Sequence, residues 1–284
     1  MLGQIDLSGS WAGTNAEDTL LLADYTGIPY NEAGRARGLS YSQSQLSMPE
    51  RVCMFYTQTQ LFGGPFGLII SKETEPGSGK TIAWKIGGWE DRAPMTIWMD
   101  GRPQASNNAP HERSGFTTGH WDGKVLVTYT THMKAGYIRR NGAPHSDQAT
   151  LTMHFLVHDN FLTLAASLED PVYLSEPLSW TRTFRRSRNP VAQLEGPCLE
   201  GDEGVPEGAV PHYLPGKNPF IDEMNKVYHI PLEASLGGAE TMYPDFRKKI
   251  KDKYVRPEKC PMNCGGTSGP GGGPGGGPGG PPPQ

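Results

Sequence analysis

The sequence predicts a mainly β protein, either an antiparallel up-and-down barrel or a strongly curved sheet, followed by a partly helical C-terminal extension. Between residues 66 and 187, short runs of β-branched and aromatic residues alternate with Gly, Pro and Asx-Gly dipeptides. The links between the runs are short, as in a meander. A meander of this length loses its exposed edges most simply by closing into a barrel. A sandwich is the second choice.

Nine strands are predicted along the chain. Leu7 to Trp11 and Leu68 to Ser71 come first. The seven that form the meander are Thr81 to Ile86, Met95 to Met99, Gly115 to Trp121, Lys124 to Thr131, Ala149 to Val157, Phe161 to Leu168 and Ser179 to Phe184. Hairpin turns are predicted at Asp100-Gly101, Asp122-Gly123, Asn141-Gly142 and His158-Asp-Asn160, because these residues accept positive φ.

Two segments have helical patterns. Asn31 to Gln45 has helix-compatible charges but a broken apolar pattern. Pro244 to Tyr254 begins with Pro, has an acidic first turn and ends with basic residues. Its apolar face predicts packing on the barrel. We therefore expect a barrel domain over residues 5–186, an extension over 187–264 and a disordered Gly/Pro-rich tail over 265–284.

Composition excludes several partners. The chain has 30 acidic residues against 26 Lys and Arg, so no overall positive field favours nucleic acid. The most apolar uncharged stretch, residues 61–71, is much shorter than the roughly 20 residues that span a bilayer, so no membrane span is expected.

Residues 1–6 lack a secretory pattern. A periplasmic or secreted location is expected if a leader was removed, and a cytoplasmic one otherwise. A homodimer is left open.

Four cysteines stand at positions 53, 198, 260 and 264. An even number suits two disulfides in an oxidising compartment. Cys260 and Cys264 could instead bind zinc, but no second Cys or His pair follows at finger spacing. Disulfides or free thiols are therefore favoured over metal.

Two predicted strands carry polar stripes that could line a cavity. The first stripe comprises Thr128, Thr130 and His132, and the second comprises Thr150, Thr152 and His154. Threonine leaves room for a ligand, and imidazole transfers protons near neutral pH. Polar strand residues usually lie on the outside of a barrel, so a solvent-facing position is the commoner one for such stripes. The functional hypothesis places both stripes in the barrel interior instead, where His132 or His154 moves a proton. The remaining histidines at loops or strand ends, His111, His120 and His145, are predicted to be solvated.

Further residues have predicted roles beside the proton-transferring histidines. Asp100 could orient an imidazole, although the dipeptide preference favours the simpler role of completing an Asp-Gly turn. Arg140 or Arg102 would stabilise an oxyanion where water is excluded. The predicted ligand-lining aromatic residues are Tyr129, Trp98 and Tyr56. No cofactor is predicted, and no metal site, because no spacing fixes a third ligand beside the histidines. Motifs of common hydrolases, nucleotide sites and dinucleotide sites are absent from the sequence.

Several motifs together resemble a widespread bacterial family of lipocalin-like proteins. They are Asp100-Gly-Arg-Pro103, Gly119-x-Trp-x-Gly123, Thr130-Thr-His-Met-Lys134, Arg139-Arg-Asn-Gly-Ala-Pro-His-Ser146, Glu169-Asp-Pro171 and Val210-Pro-His-Tyr-Leu-Pro-Gly216. The resemblance covers roughly residues 7–184. It implies a curved β-barrel and, in many relatives, an exported protein, but no settled activity. Relatives often have an acidic residue where this chain has Met153.

These observations favour a cofactor-free lyase or isomerase that acts on a small, mainly apolar or aromatic molecule inside a barrel. A non-catalytic exported carrier or sensor with the same cavity is the first alternative. A metal enzyme with histidine ligands is the second.

Overall fold

The computed structural model describes residues 5–14, 27–40, 57–61, 67–87, 95–138, 143–189, 213–218, 221–222, 225–226 and 229–253. The strands are β1 (Gly9–Gly13), β2 (Leu68–Thr74), β3 (Thr81–Gly87), β4 (Met95–Trp98), β5 (Phe116–Asp122), β6 (Val125–Thr131), β7 (Gly136–Tyr137), β8 (Pro144–His145), β9 (Thr150–His158), β10 (Phe161–Glu169) and β11 (Leu178–Ser187). The helices are α1 (Glu32–Ser40), α2 (Gln58–Leu61), α3 (Leu232–Ser235) and α4 (Pro244–Ile250), and Ala239–Met242 forms a 3-10 turn.

Nine strands form a closed barrel in the order β1-β11-β10-β9-β6-β5-β4-β3-β2. The barrel closes because β1 pairs antiparallel with both β11 and β2. The predicted closed, mainly β architecture is therefore confirmed, and each of the nine predicted strands is a strand of this barrel. The short strands β7 and β8 form a separate two-stranded sheet inserted between β6 and β9.

One connection departs from the predicted meander. β4 and β5 are parallel neighbours, with Ile97 opposite Thr117. Parallel strands cannot be joined by a tight turn. The chain therefore crosses from one end of the barrel to the other, and Gln104 in this crossing donates hydrogen bonds to the Thr118 hydroxyl (2.6 Å) and the Tyr129 carbonyl (3.1 Å). The hairpin predicted at Asp100-Gly101 is wrong: Gly101 has positive φ but begins the crossing.

The other turn predictions had different outcomes. Gly123 has φ 58°, and Asp122 pairs with Val125 across a tight β5–β6 hairpin. Asp159 has φ 53° in the β9–β10 turn. Both hairpins were predicted. Asn141-Gly142 lies outside the described residues.

The barrel end at which β1 begins and β11 ends is called the lower end, and the opposite end the upper end. Near the lower end, Trp11 is completely buried, and its indole Nε1 donates to the Leu7 carbonyl at 2.9 Å. The Arg186 guanidinium lies 4.2 Å from the Trp11 ring centre and donates to the Ser8 carbonyl at 2.8 Å. These contacts fasten the N-terminal segment across the lower end and tie β1 to β11.

The segment that contains α1 packs on the upper part of the barrel. The Tyr30 hydroxyl donates to the Pro144 carbonyl at 2.7 Å, and the Asn31 side chain donates to the Val172 carbonyl at 2.9 Å. The C-terminal extension in turn binds this segment, because the Arg35 guanidinium reaches the Leu236 carbonyl at 3.4 Å and the Glu240 carboxylate at 3.3 Å. The extension is therefore attached to the barrel through the α1 segment.

Helix α4 confirms the predicted C-terminal helix, which ends in the structure at Ile250. None of its residues is buried, and it contacts the 3-10 turn. Lys253, just past the helix, forms an ion pair with Glu233 at 2.6 Å. The predicted packing of this helix on the barrel is not observed in the described part of the chain. No helix in that part is both long and apolar enough to cross a membrane. The four cysteines and the tail lie outside the described residues.

We expect Trp11→Ala to lower the free energy of unfolding by about 3–5 kcal/mol, as for other buried Trp→Ala changes, because a cavity opens at the seam where the barrel closes. Denaturant unfolding measures this change. The matched control is Trp98→Ala, since Trp98 is half-buried on the outer wall. Equal losses in the two variants would contradict the structural role of Trp11.

Candidate functional site

The two predicted polar stripes face opposite sides of the barrel wall. On β6, Thr128 and Thr130 are buried in the interior, as predicted. On β9, Met153 is buried and His154 is exposed. Thr128 stands opposite Met153, and Val127 stands opposite His154. Directly opposite residues share a face of the sheet, so His154 lies on the outer wall. The predicted inward orientation of His154 is wrong.

His132 also lies apart from the interior. It follows the last residue of β6, and its backbone has φ 56°. Its ring is half-buried, with Nδ1 2.7 Å from the Thr131 hydroxyl. The structure therefore does not bring His132 and His154 together, and neither is placed on an inward-facing strand position.

Asp100, Arg102 and Trp98 form a cluster on the outside of the barrel. The Arg102 Nη2 donates to the Asp100 carboxylate at 2.6 Å, and its Nε donates at 2.9 Å. This side-chain hydrogen bonding lowers the pKa of Asp100 to about 2. The Arg102 guanidinium carbon lies 3.5 Å from the ring centre of Trp98. Asp100 thus binds an arginine instead of orienting an imidazole.

The remaining predicted site residues are also separated from the interior or undescribed. Tyr129 projects from the outer wall and is 42% exposed. Its strand neighbours Thr128 and Thr130 are the inward-facing ones. Arg140 and Tyr56 lie outside the described residues, and their predicted roles stay predictions. The residues chosen from the sequence therefore do not assemble into one site.

Three of the buried side chains with polar groups in the barrel interior lie among apolar ones. Trp84 on β3 is 2% exposed, Thr128 on β6 is 1% exposed and Arg182 on β11 is 3% exposed. Each stands near the middle of its strand. The surrounding inward-facing residues are apolar, including Ile97, Leu126, Met153, Phe155, Leu164 and Phe184. These three groups therefore lie near the middle of their strands, apart from the buried Thr117 and Thr130 nearer the upper end.

Two of these polar groups stand out. Among the residues that the structure describes, the indole Nε1 of Trp84 and the hydroxyl of Thr128 have no hydrogen-bond partner. Burying a polar group without a partner is unfavourable, and most buried polar groups in native proteins are paired. An unpaired donor on β3 and an unpaired hydroxyl on β6, both inside a closed barrel, therefore indicate a place for a polar atom of a ligand.

Arg182 adds a positive charge to this interior. Its guanidinium carbon lies 4.8 Å from the ring centre of Phe184, and the residue stands opposite Leu164 on β10. A guanidinium keeps its charge even when buried, since its pKa lies far above neutral. The interior therefore contains one charged side chain near β11, among apolar residues.

A separate polar layer lies nearer the upper end, and its groups are paired. Gln58 of α2 donates through Nε2 to the Ser114 carbonyl and, at 3.0 Å, to the Thr117 hydroxyl. Its Oε1 accepts a hydrogen bond from the Thr130 hydroxyl at 3.2 Å, and the Thr117 and Thr130 hydroxyls are 2.8 Å apart. Of the polar residues predicted for the first stripe, this layer includes Thr130 alone. Thr128, two residues before Thr130 on β6, takes no part in it. His132 lies beyond the end of β6.

His145 forms a second buried polar cluster, in the sheet outside the barrel. It is 1% exposed, so its predicted solvation is wrong. Its Nδ1 lies 2.9 Å from the Ser146 carbonyl and must donate, and its Nε2 therefore accepts from the Thr57 hydroxyl at 2.5 Å. Burial is the main cause that lowers the pKa of His145. At Gly136, a Cβ atom would stand 2.9 Å from the His145 Nε2, so only glycine fits there.

The same cluster joins two of the sequence motifs. The Asp170 carboxylate accepts from the Ser146 hydroxyl at 2.7 Å and from the Ser146 backbone N–H at 2.6 Å. It also accepts from the backbone N–H groups of Val172 and Tyr173. The Pro-His-Ser and Glu-Asp-Pro motifs thus meet in one hydrogen-bonded unit. No spacing in the sequence shows that these motifs are in contact.

Comparison with known proteins gives only distant structural matches. No protein-family model and no curated protein sequence matches the chain. Secretory abundant heat soluble protein 4 from Ramazzottius varieornatus is 9% identical, with a TM-score of 0.28, over 64% of this chain and 94% of that chain. Two point mutants of the fluorescent protein UnaG are 10% and 11% identical, with TM-scores of 0.28 and 0.29, over 64% of this chain and 97% of theirs. Similarity at this level carries no functional argument.

The lowered pKa of His145 predicts a pH-dependent stability. The imidazole stays neutral in the folded protein, whereas in the unfolded chain it protonates near its usual pKa of about 6.5. Below that pH the unfolded state binds more protons, so the contribution is complete above about pH 6.5 and is lost as the pH falls toward the lowered folded value. Urea unfolding between pH 7.5 and 5 measures this trend.

Two variants show whether His145 causes the decline in stability at low pH. In His145→Gln the decline in stability between pH 7.5 and 5 should become shallower, whatever the stability at pH 7.5. In His154→Gln the decline should match the wild type, because His154 is exposed. A decline that is equally steep in His145→Gln and the wild type would show that another group is responsible.

Proposed function

We propose that the barrel binds a small, mainly apolar molecule in its interior. The main support is that two buried groups, the indole N–H of Trp84 and the hydroxyl of Thr128, have no hydrogen-bond partner in the described part of the chain. Barrel size supports the proposal. An eight-stranded barrel has an interior wide enough for side chains or one small ligand, and this barrel has nine strands.

The two groups also restrict the chemistry of the ligand. The Trp84 indole can only donate a hydrogen bond, whereas the Thr128 hydroxyl can donate and accept. The ligand should therefore carry at least one oxygen that accepts a hydrogen bond, such as a carbonyl or hydroxyl oxygen. The apolar side chains around them, among them Ile97, Met153 and Phe155, favour a hydrocarbon or aromatic skeleton.

The described residues favour binding over catalysis. Lyase or isomerase chemistry of the acid–base kind needs a group that carries a proton close to the bound molecule. Among the described residues, the inward-facing strand positions include neither an imidazole nor a carboxylate, and His154 is on the outer wall. A carrier or sensor is therefore the function that we propose. The motif resemblance supports an exported location for it.

Binding is tested with an uncharged apolar fluorescent probe, N-phenylnaphthylamine, displaced by a matched pair of compounds, an aromatic ketone and the hydrocarbon of the same skeleton. In Thr128→Val and Trp84→Phe the affinity for the ketone should fall roughly 2- to 10-fold, the range expected for one neutral hydrogen bond. The affinity for the hydrocarbon should not change. Thr152→Val, on the outer wall, is the control. The proposal fails if the probe does not bind, or if the control and interior variants behave alike.

The stability of the ligand-free protein provides an independent prediction. Thr128→Val removes a buried hydroxyl that has no described partner and keeps the shape of the side chain, so we expect unfolding free energy to rise by about 1 kcal/mol. Thr130→Val is the matched change on the same face of β6. It removes hydrogen bonds to Thr117 and Gln58 and should lower the unfolding free energy by about 1–3 kcal/mol. Denaturant unfolding gives both values, and changes of the same sign would contradict the assignment.

A further inference from the structure

Two half-buried histidine rings are in contact above the upper part of β6. The ring centres of His111 and His132 are 5.1 Å apart, and the ring planes are inclined by 52°. The backbones that carry them are held together, because the Glu112 N–H donates to the His132 carbonyl at 2.9 Å and the Lys134 N–H donates to the Glu112 carbonyl at 2.9 Å. The two rings are therefore presented by paired segments of the chain and not by independent loops.

The hydrogen bonds fix the tautomer of His111. Its Nδ1 lies 3.0 Å from the Met133 backbone carbonyl, which can only accept a hydrogen bond. In the neutral ring the proton is therefore on Nδ1, and Nε2 keeps its lone pair. This arrangement, with Nδ1–H bound to a backbone carbonyl, is the support that metal-binding imidazoles commonly have.

A longer chain of hydrogen bonds fixes His132 in the same way. The amide NH₂ of Gln104 donates to Thr118 and Tyr129, which places its Oε1 toward Thr131. The Thr131 hydroxyl donates its one proton to that Oε1 at 3.2 Å. Its oxygen must therefore accept from the Nδ1–H of His132, at 2.7 Å. The lone pair of the second ring is then also on Nε2.

The backbone of His132 supports a specific role for this ring. Its φ of 56° lies in the left-handed region, which is uncommon for residues other than glycine. Such a conformation is unfavourable for a residue with a side chain and is concentrated at functional sites. The left-handed conformation turns the chain at the end of β6 and places the imidazole against His111.

The distance between the rings suits a shared metal ion. Zinc binds imidazole nitrogen at roughly 2.0–2.1 Å with tetrahedral angles, so two imidazoles on one zinc ion have ring centres about 5 Å apart. The observed separation is 5.1 Å. The described residues contain no group of three or more His, Cys, Asp or Glu side chains arranged to hold a metal. Protein ligands from this part of the chain would therefore number two, with solvent in the other positions.

We propose that His111 and His132 bind one divalent transition-metal ion of the zinc type through their Nε2 atoms. The proposal is independent of ligand binding in the barrel interior. It differs from the predicted metal-enzyme alternative in its ligands, because His154 takes no part. The ion would join the crossing between β4 and β5 to the end of β6 and keep coordination positions open toward solvent.

The test is calorimetric titration of the full-length, metal-free protein with ZnCl₂ at pH 7.5. His111→Gln and His132→Asn each remove one proposed ligand, and asparagine tolerates the positive φ at position 132. We expect each variant to bind zinc at least tenfold more weakly than the wild type, or to lose one equivalent. The double variant should be no weaker than the single ones, because one imidazole alone holds zinc poorly.

Controls separate this site from other zinc ligands. His154→Gln and His120→Gln remove exposed imidazoles of the outer wall and should leave the titration unchanged. All variants keep the same four cysteines, so any zinc bound by thiolates contributes equally. Far-UV circular dichroism confirms that each variant is folded.

A spectroscopic measurement reports on the two rings directly. In ¹H–¹⁵N spectra of the metal-free protein, the proton of each neutral imidazole should be on Nδ1, and zinc should shift the Nε2 resonances. The same zinc affinity and stoichiometry in the wild type and in both ligand variants would overturn the proposal. A proton on Nε2 of either ring would overturn it as well.

Discussion

Closure of the sheet by β1 is the constraint on which the rest of the structure depends. β1 is five residues long, yet it pairs with β2 on one side and β11 on the other. Trp11 fills the space beneath this seam, and Arg186 covers the indole. Once the barrel is closed, each strand has one inner and one outer face. The alternation along β6 and β9 then decides which polar residues are enclosed and which meet solvent.

The sequence was sufficient to predict the strands but not their register. Each strand is marked by β-branched and aromatic residues between turn formers, and such local signals predict the closed barrel and the hairpin at Asp122-Gly123. Register is a relation between two strands, and a shift of one residue exchanges their faces. His154 was therefore assigned to the wrong side, although Thr128 was assigned correctly. The burial of His145 could not be predicted either, because Thr57, which donates to its Nε2, stands 88 residues away in the chain and gives no local signal.

The two buried threonines of β6 differ in whether their hydroxyls have hydrogen-bond partners in the described part of the chain. Thr130 shares its hydrogen bonds with Thr117 and Gln58, so its burial is compensated and joins α2 to the barrel. Thr128 is equally buried and has the same hydroxyl, but no described residue pairs with it. A hydroxyl that only destabilises the empty barrel is explained if a bound molecule completes its hydrogen bonding. The contrast between Thr128 and Thr130 is therefore stronger evidence for the proposed ligand than the mere presence of polar residues in the interior.

The buried cluster at His145 and the pair of His111 and His132 differ in whether the Nε2 lone pair is used. In His145 and His111 alike, Nδ1–H is bound to a backbone carbonyl, so Nε2 holds the lone pair. For His145 that lone pair accepts from the Thr57 hydroxyl, in surroundings closed to solvent, and the imidazole joins the segment of Thr57 to β8. His111 instead faces a second imidazole with the same tautomer, and both rings reach solvent. Neither Nε2 atom has a hydrogen-bond partner among the residues that the structure describes. The arrangement at His111 and His132 is therefore suited to a bound ion, whereas the one at His145 is complete without it.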